Sequence, residues 1–138
     1  MLSNLIIHII MQKKKQLDLT RGEEQIMQIL WQLGEGNVNE IIAKMEEPKP
    51  AYTTVATFMK ILEEKDFVAR KMGGGRSFCY HPTVRKADYA RRVLQSTLAG
   101  YFNGSLVQLV SFFTQHETLK AEEIEELNQI IEEAKARE

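Results

Sequence analysis

The stretch AYTTVATFMKILEEKDF, residues 51–67, constrains the fold more than any other part of the chain. Val55, Phe58, Met59 and Leu62 recur at the spacing of one face of an α-helix. The opposite face of the first two turns has no acidic residue and carries Tyr52, Thr53, Ala56, Thr57 and Lys60; Thr54, a further candidate DNA contact, lies near the core edge. Such a face can approach phosphates and base edges without repulsion. The stretch therefore predicts a recognition helix, although a core helix with threonines on its solvated side has the same pattern.

Two helices are expected before this one. Thr20 and Glu23 have the spacing of a capping box, which begins a helix that Gly34 ends. Either Asn37 or Asn39 then caps a shorter second helix, which stops before two prolines. The first three elements are thus helices with short connections.

A β-hairpin is expected after the third helix. Residues 67–82 change to a strand-like alternation, and three consecutive glycines at positions 73–75 form the loop. No Gly-Lys-Ser/Thr follows these glycines, which excludes a phosphate-binding P-loop. Three helices followed by a hairpin are the order of a winged helix-turn-helix domain.

Four cations near these elements are candidate DNA contacts. Arg70 and Lys71 lie on the first strand, and Arg76 is beside the hairpin tip. Pro50 fits the first turn of the third helix, so that Lys49 would lie beside the free N–H groups of that helix. Residues 65–92 hold eight basic side chains against two acidic ones, which is an electrostatic footprint for a polyanion.

The C-terminal part, residues 84–138, predicts three amphipathic helices with little core of their own. Their apolar faces would be buried best against a second copy of the chain, which favours a dimerisation domain. The candidate dimer residues are Leu98, Phe102, Leu106, Leu109, Val110, Phe113, Ile124, Leu127 and Ile131. We therefore expect a mainly α chain with a small β wing, in which a winged-helix domain at 18–83 precedes a helical dimerisation domain at 84–138.

Residues 1–17 are interpreted as an N-terminal extension. The apolar run at 1–11 precedes three lysines, which is the reverse order of a secretory signal, and it is too short to span a bilayer. Met11 is the favoured natural start, and the expected location is cytoplasmic. The single cysteine, Cys79, cannot form an intrachain disulfide, and the three histidines lack metal-ligand spacing, so we expect no metal or cofactor. No aromatic-lined pocket can be read from the sequence, so no small-molecule ligand is predicted, and a ligand-sensing regulator stays an alternative.

Charge divides the chain into a basic front and an acidic back. Residues 12–92 contain 15 Lys and Arg against 11 Asp and Glu, whereas residues 93–138 contain 3 against 8. The net charge of −1 over 138 residues therefore conceals a basic region where the candidate DNA contacts are.

Five motifs occur in order: L-T-x-x-E from Leu19, YTTV-x-T from Tyr52, LEEK from Leu62, F-x-Y-x-P from Phe78, and a C-terminal pair counted as one, FNGSL from Phe102 and EEIEEL from Glu122. In this order they resemble the penicillinase repressors, a family that includes regulators of β-lactamase and methicillin-resistance genes and copper-transport repressors. The resemblance covers residues 19–138. Family members often carry Arg where this chain has Ala56 and Ile61, and Gly where it has Asp66. The cysteine-rich motif of the copper branch is absent from the sequence, so copper sensing is not expected.

The resemblance implies a homodimeric repressor that binds a double-stranded DNA operator of dyad symmetry. It also implies relief of repression by cleavage near the start of the dimer domain, under a membrane-bound sensor protease system. Tyr101, Phe102, Asn103 and Gly104 interrupt the helical pattern and are the expected cleavage region, although by themselves they read as an inter-helix turn. The alternative function is a winged-helix adaptor for protein interactions. An enzyme is not expected, because no paired acid and base, nucleophile elbow or metal cluster is evident.

Overall fold

The computed structural model describes residues 19–73, 75 and 77–138. These residues form helices and one β-hairpin in the order α1 Arg21–Leu33, α2 Val38–Ala43, α3 Tyr52–Glu64, β1 Val68–Met72, β2 Phe78–Pro82, α4 Lys86–Tyr101, α5 Leu106–His116 and α6 Ala121–Ala136. The expected mainly α class with a small β wing is confirmed. The expectations for residues 1–17 and for Arg76 lie outside the described residues. The chain divides into two compact units after Val93, which is inside α4.

Both predicted helix caps are formed. The Thr20 hydroxyl accepts a hydrogen bond from the Glu23 N–H, and the Glu23 carboxylate accepts one from the Thr20 N–H. Asn37, rather than Asn39, caps α2, and it forms a second capping box with Glu40. Each side-chain cap satisfies an N–H group that has no partner inside its helix, which fixes where the helix begins.

α3, the predicted recognition helix, is shorter than the sequence pattern predicted. It begins at Tyr52, with Ala51 as its N-cap, so Pro50 lies before the cap and not in the first turn. It ends at Glu64 because Asp66 adopts a left-handed conformation, with φ of 64°. This turn directs Phe67 into the core, where it is fully buried and its N–H donates to the Leu62 carbonyl.

The hairpin carries its residues on two distinct faces. Val68 is paired with Pro82, Arg70 with Tyr80, and Lys71 with Cys79. Because directly paired residues share a face and neighbours alternate, Arg70 lies on the face of the buried Tyr80 and Lys71 on the other. Gly36 exchanges two backbone hydrogen bonds with Tyr80, which adds a short third pairing segment that the sequence analysis did not predict.

One core cluster holds the first unit together. Val55, Met59 and Leu62 are fully buried, as the periodicity predicted, whereas Phe58 is only half-buried. The remaining buried members come from α1, α2, the hairpin and the start of α4: Ile26, Met27, Leu30, Val38, Ile41, Phe67, Val68, Tyr80 and Tyr89. Apolar burial thus fixes one face of α3 and leaves its other face in solvent.

The start of α4 is anchored to the first unit by aromatic contacts. The Tyr89 ring lies 5.7 Å from the Trp31 ring and 5.7 Å from the Phe67 ring, measured between centroids. The Trp31 indole N–H donates to the Val84 carbonyl at 2.8 Å. These contacts bring the segment that follows the wing back onto α1.

The second unit buries none of its own residues. Every residue from 94 to 138 is described, and each remains at least partly exposed. Its helices are nevertheless well defined at their ends, since Ser105 caps α5 through the Gln108 N–H. Within the part of the chain that the structure describes, no helix is both long enough and apolar enough to cross a bilayer.

Candidate nucleic-acid interface

The solvent face of α3 is the largest group of predicted DNA contacts that the structure brings together. Tyr52, Thr53, Thr54, Thr57 and Lys60 are all exposed on it. Ala56, between them, is half-buried, and its small side chain lets the helix backbone approach a partner closely. The first turn has no acidic residue, so the positive end of the helix dipole is not neutralised there.

The threonines on this face differ in what they can still bind. The Thr57 hydroxyl donates to the Thr53 carbonyl at 2.9 Å, one helical turn back. Its proton is therefore engaged, while its oxygen lone pairs and its methyl group remain available. Thr57 is suited to accept from a base amino group or to contact a thymine methyl group.

Lys49, which was predicted to lie beside the start of α3, binds backbone carbonyls near α2 in this structure. Its ammonium donates to the carbonyls of Ile42, Ala43 and Met45 at 3.0 to 3.2 Å. Ile42 and Ala43 are the last two residues of α2, whose C-terminal end favours a cation, and Met45 follows its C-cap. The ammonium can donate three hydrogen bonds, and all three are engaged with these carbonyls. Its role as a DNA contact stays a prediction.

The two cations of β1 are paired with acids on different elements. The Arg70 Nε lies 3.3 Å from a carboxylate oxygen of Glu63, near the end of α3. The Lys71 ammonium lies 2.9 Å from the carboxylate of Glu35, in the loop between α1 and α2. The hydrogen bond from Lys71 lowers the pKa of Glu35, and the same contact raises the pKa of Lys71. In the absence of DNA, both cations therefore have intramolecular counterions.

These acidic partners were not predicted from the sequence. Glu35 is 36 positions from Lys71 in the chain, and only the pairing of Gly36 with β2 brings it to the hairpin. The Arg70 guanidinium also lies over the Phe78 ring, 4.3 Å from the centroid. The strand alternation in the sequence already separates Arg70 from Lys71, because neighbouring strand residues face opposite sides, but it does not show their partners.

The candidate dimer residues lie in the second unit and are accessible there. Leu98, Phe102 and Leu109 are half-buried, and Leu106, Val110, Phe113, Ile124, Leu127 and Ile131 are exposed. Val107, Phe112 and Ile130 are also exposed and were not among the candidate dimer residues. Leu109, Val110, Phe113, Leu127 and Ile130 line part of an open apolar groove of about 430 Å³ between α5 and α6.

The expected cleavage region forms a capped turn between α4 and α5. The N–H groups of Phe102 and Gly104 both donate to the Leu98 carbonyl, at 2.9 and 2.8 Å. Asn103 and Gly104 have φ angles of 52° and 73°, which is the left-handed geometry that closes a helix. Tyr101 is 83% exposed, so the turn presents one large side chain to solvent.

The described residues offer no assembly for metal chemistry. Across residues 19–73, 75 and 77–138, no three His, Cys, Asp or Glu side chains come close enough to hold a metal ion. The polar groups of the interface are hydroxyls and cations on a helix and a hairpin. They can bind an anionic polymer, and they do not form an acid–base or nucleophile pair.

Comparison with known proteins shows to which family this chain belongs. The model of the penicillinase repressor family matches residues 19–133. A penicillinase repressor from Bacillus licheniformis is 31% identical over 125 residues, which are 90% of this chain and 97% of that protein. The methicillin resistance regulatory protein MecI of Staphylococcus aureus (strain N315) is 27% identical over 118 residues, 85% of this chain and 95% of that protein.

Among solved structures, the reduced form of MarR from E. coli matches 95% of this chain and 94% of its own, with a TM-score of 0.43 and 16% identity. At that score the likeness adds nothing to the assignment. The family model covers most of the chain, and the Bacillus licheniformis relative matches nearly end to end. The chain belongs to the penicillinase repressor family and is a DNA-binding transcriptional repressor, not an enzyme.

Proposed function

We propose that this repressor binds a DNA operator of dyad symmetry as a homodimer, with α3 of each copy in a major groove and each hairpin on neighbouring phosphates. The observation that carries the proposal is the solvent face of α3. Tyr52, Thr53, Thr57 and Lys60 are exposed there without an acidic neighbour in the first turn, while the opposite face of the same helix is buried. A helix held in this way can present hydroxyls and a cation to base edges and phosphates.

The second unit supports the homodimer. A single copy leaves Leu106, Val110, Phe113, Ile124 and Leu127 between 44% and 58% exposed. Burying a leucine or phenylalanine side chain fully is worth about 1.5–3 kcal/mol, so a face of this kind gains most from a second copy that covers it symmetrically. The predicted domains, 18–83 for DNA binding and 84–138 for dimerisation, are proposed on this basis.

Proteolysis is proposed as the way repression ends. Family membership supports a cleavage region at residues 101–104, together with an upstream sensor protease system. The chain offers an exposed tyrosine beside two left-handed residues in that turn. Cutting there would separate the DNA-binding part from most of the proposed dimer face. The cytoplasmic location expected from the sequence likewise stays a prediction.

Footprinting tests the proposal directly. The purified full-length protein is incubated with DNA from upstream of its own gene, and the protected region is read at nucleotide resolution. We expect protection of two half-sites related by a dyad, about 10 base pairs apart or a multiple of that.

Uniform weak protection, with no site distinguished from bulk DNA, would favour the adaptor function that the sequence also allowed. A variant with Thr57→Ala and Lys60→Ala provides the matched control, since both side chains are exposed and their loss leaves the core intact.

A further inference from the structure

The neighbouring cations of β1, 48% exposed for Arg70 and 59% for Lys71, are paired with carboxylates that differ more in exposure, 34% for Glu63 and 54% for Glu35. The Lys71–Glu35 pair is more than half exposed on both sides, so a phosphate can replace the carboxylate at little cost. Arg70 is less accessible than Lys71, and the Glu63 side chain is only 34% exposed. Resting on the DNA-binding function proposed above, we infer that Arg70 is a positioning residue that holds the hairpin against α3, whereas Lys71 is the phosphate contact of this strand.

Arg70 connects three elements through one side chain. Its Nε lies 3.3 Å from Glu63 near the end of α3, and its guanidinium lies 4.3 Å from the ring centroid of Phe78 at the start of β2. Arg70 itself is in β1, on the face of the hairpin that carries buried Tyr80. A planar guanidinium suits both a carboxylate and an aromatic face. The recognition helix and both wing strands therefore meet at this residue.

The Glu63 carboxylate depends on this contact. Its Oε2 is shielded from solvent, and no described residue donates a hydrogen bond to it. An anionic oxygen in that position needs a nearby positive charge, which the Arg70 guanidinium supplies. If Arg70 moved to a phosphate, this oxygen would be left without its counterion. Glu35 has no such constraint, because its carboxylate stays in water when Lys71 leaves.

The two roles predict opposite effects when each acid is neutralised. Glu35 competes with DNA for Lys71, so Glu35→Gln should free the ammonium and raise DNA affinity. Glu63 keeps the wing in place through Arg70, so Glu63→Gln should loosen the wing and lower affinity. The same change of acid to amide should therefore raise DNA affinity at Glu35, which competes with DNA, and lower it at Glu63, which positions the wing.

The test measures binding of the full-length protein to the footprinted duplex and to a random-sequence duplex of equal length, by fluorescence anisotropy at several salt concentrations. Glu63→Gln and Arg70→Met should each weaken binding to the footprinted duplex about 3- to 30-fold, which lies within the range of coupling seen between contacting residues. The double variant Glu63→Gln/Arg70→Met should bind no more weakly than the weaker-binding single variant, because both substitutions remove the same Arg70–Glu63 contact. The salt slope should be unchanged by Arg70→Met and reduced by about one in Lys71→Met.

Arg70→Lys is the decisive variant, because it keeps the charge and disturbs the fold least. A phosphate contact would tolerate lysine, whereas a guanidinium that lies over a ring and beside a carboxylate would not be replaced by it. Wild-type affinity for Arg70→Lys, higher affinity for Glu63→Gln, or a salt slope reduced by Arg70→Met would each overturn the inference. Glu35→Gln that failed to bind more tightly would overturn the assignment of Lys71. A wild-type protein that preferred neither duplex would instead count against the proposed function.

Discussion

Removing the charge of Lys65 tests how the first unit keeps its helices together. The ammonium lies 2.9 Å from both carboxylate oxygens of Glu23, which joins the first turn of α1 to the C-cap of α3. The Glu23 side chain is only 3% exposed, whereas the Lys65 side chain is 17% exposed. Lys65→Met would therefore leave a buried carboxylate without a cation, while most of the stem packing would be kept.

The expected loss of unfolding free energy in Lys65→Met is large for a small domain. Breaking a buried pair by removing one partner costs about 3–5 kcal/mol, and the partial exposure of Lys65 favours the lower end, about 3 kcal/mol. A domain of this size has a stability of roughly 5–15 kcal/mol, so the change should be evident in urea unfolding. Glu23→Gln should cost less, because the amide oxygen still accepts the Thr20 N–H and the ammonium can turn toward water.

The pH dependence gives the sharper readout. Burial by itself raises the pKa of Glu23, but the hydrogen bonds from Lys65 and from the Thr20 N–H outweigh it, and the net pKa is lowered. A lowered pKa in the folded state contributes stability that is present above the ordinary glutamate pKa and is lost as pH falls through the folded-state value. In Lys65→Met burial remains and the cation is gone, so the pKa of Glu23 should rise.

The loss of unfolding free energy caused by Lys65→Met should consequently be largest at pH 7. It should become smaller as the pH falls through the range in which Glu23 takes up a proton. The measurement is the free energy of urea unfolding for wild type, Lys65→Met and Glu23→Gln between pH 7 and pH 4. Lys71→Met removes a cation from an exposed pair and should leave the urea midpoint unchanged. A loss in Lys65→Met that equals this control, or that stays constant with pH, would refute the reasoning.

Three further predictions use exposed or strained positions. Thr57→Ala and Tyr52→Ala should each weaken operator binding by about 1–3 kcal/mol with unchanged unfolding curves, and unchanged affinity in anisotropy would remove both from the interface. Gly34→Ala should lower the free energy of unfolding in urea by about 1 kcal/mol, because φ is 83° at that position. Asp66→Gly, at φ of 64°, should change it by less than about 0.5 kcal/mol or raise it. A larger loss for Asp66→Gly than for Gly34→Ala would contradict the backbone argument. Phe113→Glu should dissociate the proposed dimer in sedimentation experiments, and an unchanged dimer would place the contact elsewhere.

Local signals predicted the beginnings of the helices well. The Thr20 and Asn37 caps depend on residues three positions apart, so the chemistry that fixes them is contained in the sequence. The buried stripe of α3 followed from periodicity for the same reason. The end of α3 was missed, because periodicity continues through Phe67 while the backbone reverses at Asp66.

The partners of the charged residues could not be read from local patterns. Glu23 was predicted as a capping residue, but its ion pair joins positions 42 residues apart. Lys49 was expected at the start of α3, yet its ammonium caps the end of α2, because the intervening loop folds back. Arg70 and Lys71 were both predicted as DNA contacts, and the register of the hairpin places them on opposite faces with different acidic partners. Charge identifies candidates for DNA contact, and the fold decides which of them already have a counterion.

Cleavage in the turn after α4 is the remaining prediction. The Leu98 carbonyl accepts from both Phe102 and Gly104, so this segment must open locally before a protease can bind it in extended form. A fragment ending at residue 102 retains the winged helix but loses α5 and α6. Because tethering two modules raises avidity by roughly 10²–10⁴, the fragment should bind a full dyad site weaker by about that factor, and a single half-site as well as the intact protein does. Anisotropy on both duplexes measures this, with uncleaved full-length protein as the control. Equal affinity of fragment and intact protein for the full site, or a fragment that is still dimeric at nanomolar concentration, would rule out separation of the two parts as the mechanism of release.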